Sequence, residues 1–206
     1  MTRLSSASQT PLWEDQPPLL IDLAVTDLQA GGEVRPTLVA FHGDQPLFLA
    51  TVRPFAKGHY HDPIIELGAV AHGFGANRLL LSLSGRAWSL HDPIAPVLDE
   101  GCDLRQRVIA LNQVDASIQP VVVQTTIVPF EVDPDGEVTI GRTITVDDGQ
   151  GWVHQALAAM ASTAEVSDFD DSLARQVYRC EQLGHTIAWS RDLAAMIRQL
   201  DASDRP

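Results

Sequence analysis

The spacing of apolar residues changes along the chain between helical and strand-like patterns. Helical spacing predicts five helices, over residues 19–30, 62–74, 149–161, 172–183 and 191–200. Strand-like runs predict six strands, over residues 37–41, 47–52, 79–90, 106–114, 120–132 and 137–146. The predicted fold class is therefore α+β, or mixed α/β. It consists of one mixed, largely antiparallel sheet of about six strands, with helices packed on it and a C-terminal helical pair.

Local residue choices sharpen three parts of this prediction. The first two strand runs are almost continuously apolar, which is typical of a sheet covered on both faces. Asp62 and Pro63 predict a helix start, in which the Asp62 carboxylate accepts from the free amides of the first turn and proline takes the first helical position. Ser84 and Gly85 predict a bulge or a close backbone approach within their strand.

The length of 206 residues predicts one well-cored domain with small additions. We expect a disordered N-terminus over residues 1–17 and an α+β core domain over residues 18–161. An acidic linker is predicted over residues 162–171. The helical pair, over residues 172–201, is expected to pack on the core or on a partner, and residues 202–206 form a frayed tail.

Charge and composition limit the classes of partner. The chain carries 27 acidic and 14 basic residues, a formal charge of -13. Such a charge disfavours nucleic acid and anionic membrane surfaces, because both require Lys and Arg. The chain has only two cysteines. It has no signal peptide and no apolar run long enough to cross a bilayer. We therefore expect a cytoplasmic protein, and a bacterial one. Cys180 falls on an apolar helical stripe and is expected to be a buried, unreactive thiol.

The tetrapeptide His-Asp-Pro-Ile occurs twice, beginning at His61 and at His91. In an extended segment His59 and His61 point to the same side, so they can share a divalent metal ion. His91, or one of the aspartates Asp62 and Asp92, could supply a further ligand or a general base. The alternative is structural: Asp62 caps a helix and the histidines lie in a hydrophilic turn. We favour the structural interpretation, because two neighbouring histidines do not make a complete metal site.

The segment Trp88–Pro93 follows a hairpin, a helix and a strand, and its Trp…Pro frame resembles the JAB/MPN-type metallopeptidases. In that family the zinc histidines lie in a Trp-x-His-x-His-Pro segment. Leu90 and Asp92 stand at those two positions here, and a Ser-x-x-Asp partner is missing downstream. The resemblance covers about a third of the chain and implies a fold relative that lacks the hydrolytic site.

The C-terminal helical pair carries arginines opposite its apolar stripes, namely Arg175, Arg179, Arg191 and Arg198. They form either an ordinary solvated face, which we favour, or a docking element for an acidic partner or a second copy of the chain. Trp189, in the predicted connection between the two helices, is the candidate interface anchor.

These patterns favour a binding, accessory or regulatory protein that acts through a protein partner or self-association, without a recognisable catalytic motif. The alternative is a metal-dependent hydrolase using His59, His61 and His91 with Asp62 or Asp92, which would take a divalent metal; no other cofactor is implied. A second alternative is a small-ligand sensor, with its pocket between the sheet and the helix over residues 62–74.

Overall fold

A computed structural model describes residues 12–87, 105–147, 152–161 and 171–190. A short 3-10 turn, Trp13–Asp15, leads into the first of the four helices found in these ranges: α1 (Gln16–Gly31), α2 (Asp62–Gly73), α3 (Trp152–Met160) and α4 (Asp171–Gln182). The eight strands in the same ranges are β1 (Thr37–His42), β2 (Gln45–Thr51), β3 (Arg78–Ala87), β4 (Gln106–Asp115), β5 (Val122–Val132), β6 (Val138–Ile140), β7 (Ile144–Asp147) and β8 (Thr186–Trp189).

The eight strands form one sheet in the order β6-β5-β4-β3-β1-β2-β8, and β7 also pairs with β5. Every strand pairing is antiparallel. The central pair is β3 with β4, which stay in register from Arg78 opposite Asp115 to Ala87 opposite Gln106. The predicted α+β class and its antiparallel sheet with packed helices are confirmed.

Helices cover both faces of the sheet, as the apolar first hairpin predicts. On one face, α2, α3 and α4 bury the largest core cluster, with Leu67 and Leu81 fully enclosed. On the other face, α1 packs over β3, β4 and β5 through two smaller clusters around Leu20 and Leu28. The sheet is therefore the middle layer, and β1 is buried along almost its whole length.

The ends of the helices follow from single residues. Gly32 ends α1 in a left-handed conformation with φ of 74°, and its N–H donates to the Leu28 carbonyl at 2.8 Å. At the start of α2 the N-cap residue is His61, whose side chain makes no capping hydrogen bond, so the expected Asp62 cap is wrong. Asp62 is itself the first helical residue, and its carboxylate lies 3.1 Å from Nδ1 of His59.

The run predicted as one strand over residues 137–146 is two strands, β6 and β7. Pro129 explains the break. Its carbonyl accepts from the Gly141 N–H at 2.7 Å, so the missing proline N–H faces the same outer strand. Gly141 fits this approach because a Cβ there would lie 3.1 Å from the Cβ of Pro129. On its outer side, β5 therefore lacks one N–H donor at Pro129. β6 pairs with β5 on one side of this proline, and β7 pairs with β5 on the other.

Two further local predictions differ from the structure. The segment predicted as a connection between the last two helices contains strand β8, which pairs with β2 from Thr51–Thr186 to Phe48–Trp189. The bulge predicted at Ser84 and Gly85 is absent, since both residues keep the β3–β4 register. The register shift in this part of the sheet lies instead at Ala40 and Phe41, between β1 and β2.

Several predicted segments fall outside the described residues. They are residues 1–11 of the N-terminal stretch, the acidic linker except Asp171, the second helix of the C-terminal pair and the tail. Within the described part of the N-terminus, Trp13 is buried and its ring meets Phe41 edge-on, with centroids 5.5 Å apart.

The packing predicts a large difference in the effect on stability between Leu81 on β3 and Leu49 on β2. Leu81 is 0% exposed in the main cluster, whereas Leu49 is 37% exposed. We expect Leu81→Ala to lower the free energy of unfolding by about 2–5 kcal/mol, because it removes buried methyl groups and leaves a cavity. The matched change Leu49→Ala should cost under about 1 kcal/mol. Urea unfolding measures both, and equal losses would contradict the assigned burial.

Candidate ligand-binding cleft

Two of the three histidines of the predicted metal cluster lie on the surface at the start of α2. His59 and His61 are both exposed, and His59 pairs with Asp62. His91 and Asp92 lie outside the described residues, as does the Trp88–Pro93 segment. Within the described part of the chain, no group of three or more His, Cys, Asp or Glu side chains is arranged to hold a metal ion. The complete five-residue site stays a prediction.

The predicted interface residues occupy two different environments. Arg175 and Arg179 are exposed on α4. Trp189, at the end of β8, turns its ring into the protein, where it lies 5.4 Å from the ring of Phe48 and 5.2 Å from that of Phe74. The ring thus packs against the core of its own chain. Arg191 and Arg198 lie outside the described residues, and docking at this face stays a prediction.

The structure assembles an ionic network around the Glu66 carboxylate that no sequence motif indicated. Arg53, just after β2, donates from Nε to Oε2 at 2.7 Å and from Nη2 to Oε1 at 2.8 Å. His185, just before β8, places Nε2 2.8 Å from Oε2 of Glu66. The Arg53 backbone N–H donates to His185 Nδ1 at 3.2 Å, so the proton of the neutral ring is on Nε2 and is donated to Glu66.

The network sets the protonation of its members. The Arg53 guanidinium holds the pKa of Glu66 below its usual value, so this carboxyl is ionised. Burial lowers the pKa of His185 and raises that of the neighbouring Cys180 to about 11. Cys180 is therefore a thiol at neutral pH, and its sulfur donates to the Glu66 carbonyl at 3.4 Å. The arrangement suits a structural clamp better than nucleophilic catalysis.

Arg53 also borders a cleft of about 690 Å³. The segment after α1 (residues 32–36) and the segment after β2 (residues 51–55) form two of its sides. Leu28, Ser84, Arg107 and Gly184 complete the lining. No residue of α2 lines this cleft, so it differs from the pocket expected between the sheet and that helix.

Among the described residues of the lining, the charged ones are three arginines and one glutamate, Glu33. Arg35 is held by Asp27, which is buried in α1: Nε of Arg35 donates to Oδ1 at 2.9 Å and its backbone N–H donates to Oδ2 at 3.1 Å. Arg53 is held by the two hydrogen bonds that its guanidinium donates to Glu66. Two of the guanidinium groups are thus fixed in place by carboxylates on helices.

Arg107, on β4, is held differently. Its Nη2 donates to the Gly32 carbonyl at 3.3 Å, and its guanidinium lies 4.7 Å from the centre of the Phe130 ring. Within the described residues it has no carboxylate partner. Arg86 stands directly opposite it on β3, where two like charges repel each other. Arg107 is therefore the guanidinium of the cleft whose charge is least compensated.

Sequence reasoning missed the cleft because its residues come from five separated segments. One signal was present: Asp27 lies on the buried stripe of α1 with Leu20, Ala24 and Leu28. A carboxylate on an apolar stripe requires a cationic partner, which here is Arg35. No comparable pattern points to Arg107.

Comparison with known proteins adds no family to this description. Neither a protein-family model, nor a curated protein, nor a solved structure matches the chain. Among the described helices, none combines the length and apolar character that crossing a bilayer requires.

The Glu66 network predicts a stability effect out of proportion to a single surface charge. Glu66→Gln should lower the free energy of unfolding by about 1–3 kcal/mol, because it leaves the half-buried Arg53 without its counter-charge. The control Asp44→Asn removes a carboxylate that is 73% exposed and should change it by under about 0.5 kcal/mol. Chemical denaturation measures both. Equal effects would show that the network contributes no more than an ordinary surface pair.

The buried histidine predicts how stability depends on pH. Because the pKa of His185 is lower in the folded protein than in the unfolded chain, the unfolded chain binds more protons in mildly acidic solution. The contribution of His185 to the free energy of unfolding is fully present above about pH 6.5 and is lost as the pH falls below that value. Glu66 acts in the same direction below its ordinary pKa of 4.5.

We therefore expect the Tm to fall between about pH 8 and about pH 5.5, and to fall less steeply in His185→Gln, whose side chain cannot be protonated. Some slope should remain, because burial also lowers the pKa of His154. A His185→Gln slope equal to that of the wild type would contradict the assignment.

Proposed function

We propose that this protein is a binding protein that takes a small anionic ligand, bearing a carboxylate or phosphate group, into the arginine-lined cleft. The observation that carries the proposal is Arg107, which borders the cleft without a described carboxylate partner. A guanidinium offers several N–H donors in a planar fork that matches carboxylate and phosphate oxygens.

The size and walls of the cleft support this proposal. Its volume of about 690 Å³ falls in the range of small-molecule sites. Apolar side chains, including Leu28, Val34 and Phe55, lie beside the arginines, so a ligand with an apolar body and a charged end would fit both parts. The proposed role is a form of the small-ligand sensor predicted from the sequence, at a different place in the fold.

The way in which the other two arginines are held also supports ligand binding. Arg35 and Arg53 are oriented by Asp27 and Glu66 before any ligand arrives. A ligand then avoids part of the entropy cost of ordering two long side chains. Arginines outnumber acidic residues three to one in the described lining, in a chain of formal charge -13, and the carboxylates that hold Arg35 and Arg53 lie outside that lining.

Titration calorimetry with phosphate, citrate and a panel of sugar phosphates tests the proposal. We expect at least one of these anions to bind. Arg107→Met should weaken that binding about tenfold to a hundredfold, because it removes one charged hydrogen-bond donor. Methionine keeps an unbranched apolar chain at the position. The matched control Arg179→Met removes an exposed arginine on α4 and should bind like the wild type.

Comparing carboxylates with phosphates identifies which anion the cleft prefers. Equal loss in Arg107→Met and Arg179→Met would show that general charge, and not the cleft, attracts the ligand. Failure of every anion to bind, or equally tight binding of uncharged analogues, would overturn the proposal.

A further inference from the structure

The strand β7 is an open edge of the sheet. It pairs with β5 from Gln124–Asp147 to Ile127–Ile144, and no described strand pairs with its other side. All four of its residues are exposed. A strand edge of this kind presents unpaired N–H and C=O groups to any chain able to extend the sheet.

The side chains of β7 are those of a strand that pairs, not of a protected edge. Ile144 and Val146 lie on one face and are 52% and 42% exposed. Thr145 stands between them, and all three are β-branched, the type that packs best on a pleated surface. The strand contains neither proline nor lysine, the residues with which proteins commonly block an edge.

Charge at the two ends of the strand favours one orientation of partner. Arg142 lies two residues before β7 and is exposed, whereas Asp147 ends it. Antiparallel pairing of two such strands brings the basic end of each near the acidic end of the other. Parallel pairing would place like charges together. We propose that a second copy of this chain pairs antiparallel with β7, forming a two-fold dimer with one continuous sheet.

Only one pairing register covers the exposed apolar side chains of both copies. When the two-fold axis passes through Thr145, Ile144 of each copy lies opposite Val146 of the other, so both exposed apolar residues are covered. Centring on Ile144 places Val146 opposite Arg142 instead. Centring on Val146 places Thr145 opposite Asp147 and leaves Ile144 without an apolar partner. The pairing therefore centres on Thr145.

The opposite edge of the sheet does not offer the same features. In β8 the large apolar residues, Ile187 and Trp189, pack against the main core cluster. The other two residues of the strand, Thr186 and Ala188, are exposed and small. Edge pairing at β8 would thus cover little apolar surface, and this edge serves as the internal control.

Sedimentation equilibrium tests the dimer across the micromolar range. The pairing involves few residues, so we expect a weak dimer whose mass rises with concentration from 22.4 kDa toward twice that value. Thr145→Lys should hold the protein monomeric, because it puts two like charges on the axis. The matched change Thr186→Lys, on β8, should leave dimerisation unchanged. A wild type that stays monomeric, or a Thr145→Lys variant that still dimerises, would overturn the proposal.

The register has its own test. Cys102, the cysteine of the chain other than Cys180, is first replaced by serine. Thr145→Cys then places two cysteines across the axis, where antiparallel strands bring Cα atoms about 4.5–5.5 Å apart, within disulfide range. Mild oxidation should give a covalent dimer in high yield, and Thr186→Cys should not. Failure of Thr145→Cys to cross-link while the wild type dimerises would overturn the β7 assignment. This outcome is independent of ligand binding in the cleft.

Discussion

The Glu66 carboxylate joins three parts of the chain that are distant in sequence. It sits on α2, accepts both guanidinium hydrogen bonds of Arg53 after β2, and meets His185 before β8. The last strand of the sheet is thereby fixed beside β2, and one side of the cleft acquires a defined position. Because the arginine is only partly exposed, its charge requires this carboxylate, and the geometry of the cleft depends on that requirement.

The sequence predicted the helices and strands whose formation depends on residues close to one another in the chain. The apolar run of β1 and the start of α2 at Asp62 and Pro63 are examples, since burial and backbone conformation act within a few residues. The break between β6 and β7 depends on Pro129 in a neighbouring strand, which one strand's own pattern does not show. Strand β8 has only four residues and exists through its pairing with β2. It lies between two segments with helical patterns, so the sequence predicted a connection there.

The candidate site was less predictable than the fold for the same reason. Histidines attract attention because two of them close in sequence can share a metal, and His59 with His61 formed the obvious candidate. The cleft instead draws Arg35, Arg53 and Arg107 from three separate parts of the chain. Only the topology brings them together, and arginines at strand ends are ordinary in any sequence. Asp27 was the exception, since a carboxylate on a buried helical stripe signals a partner.

The proline in β5 has a consequence for how the molecule avoids aggregation. By interrupting its neighbour, Pro129 shortens the exposed edge at β7 to four residues. The two edges of the sheet are also unlike, so a strand that suits one does not suit the other. Association through β7 covers that strand in both molecules. The outer strands that remain among those described are β6, which has three residues, and β8, whose exposed side chains are small. Growth would therefore stop at a closed pair and would not continue into a fibre.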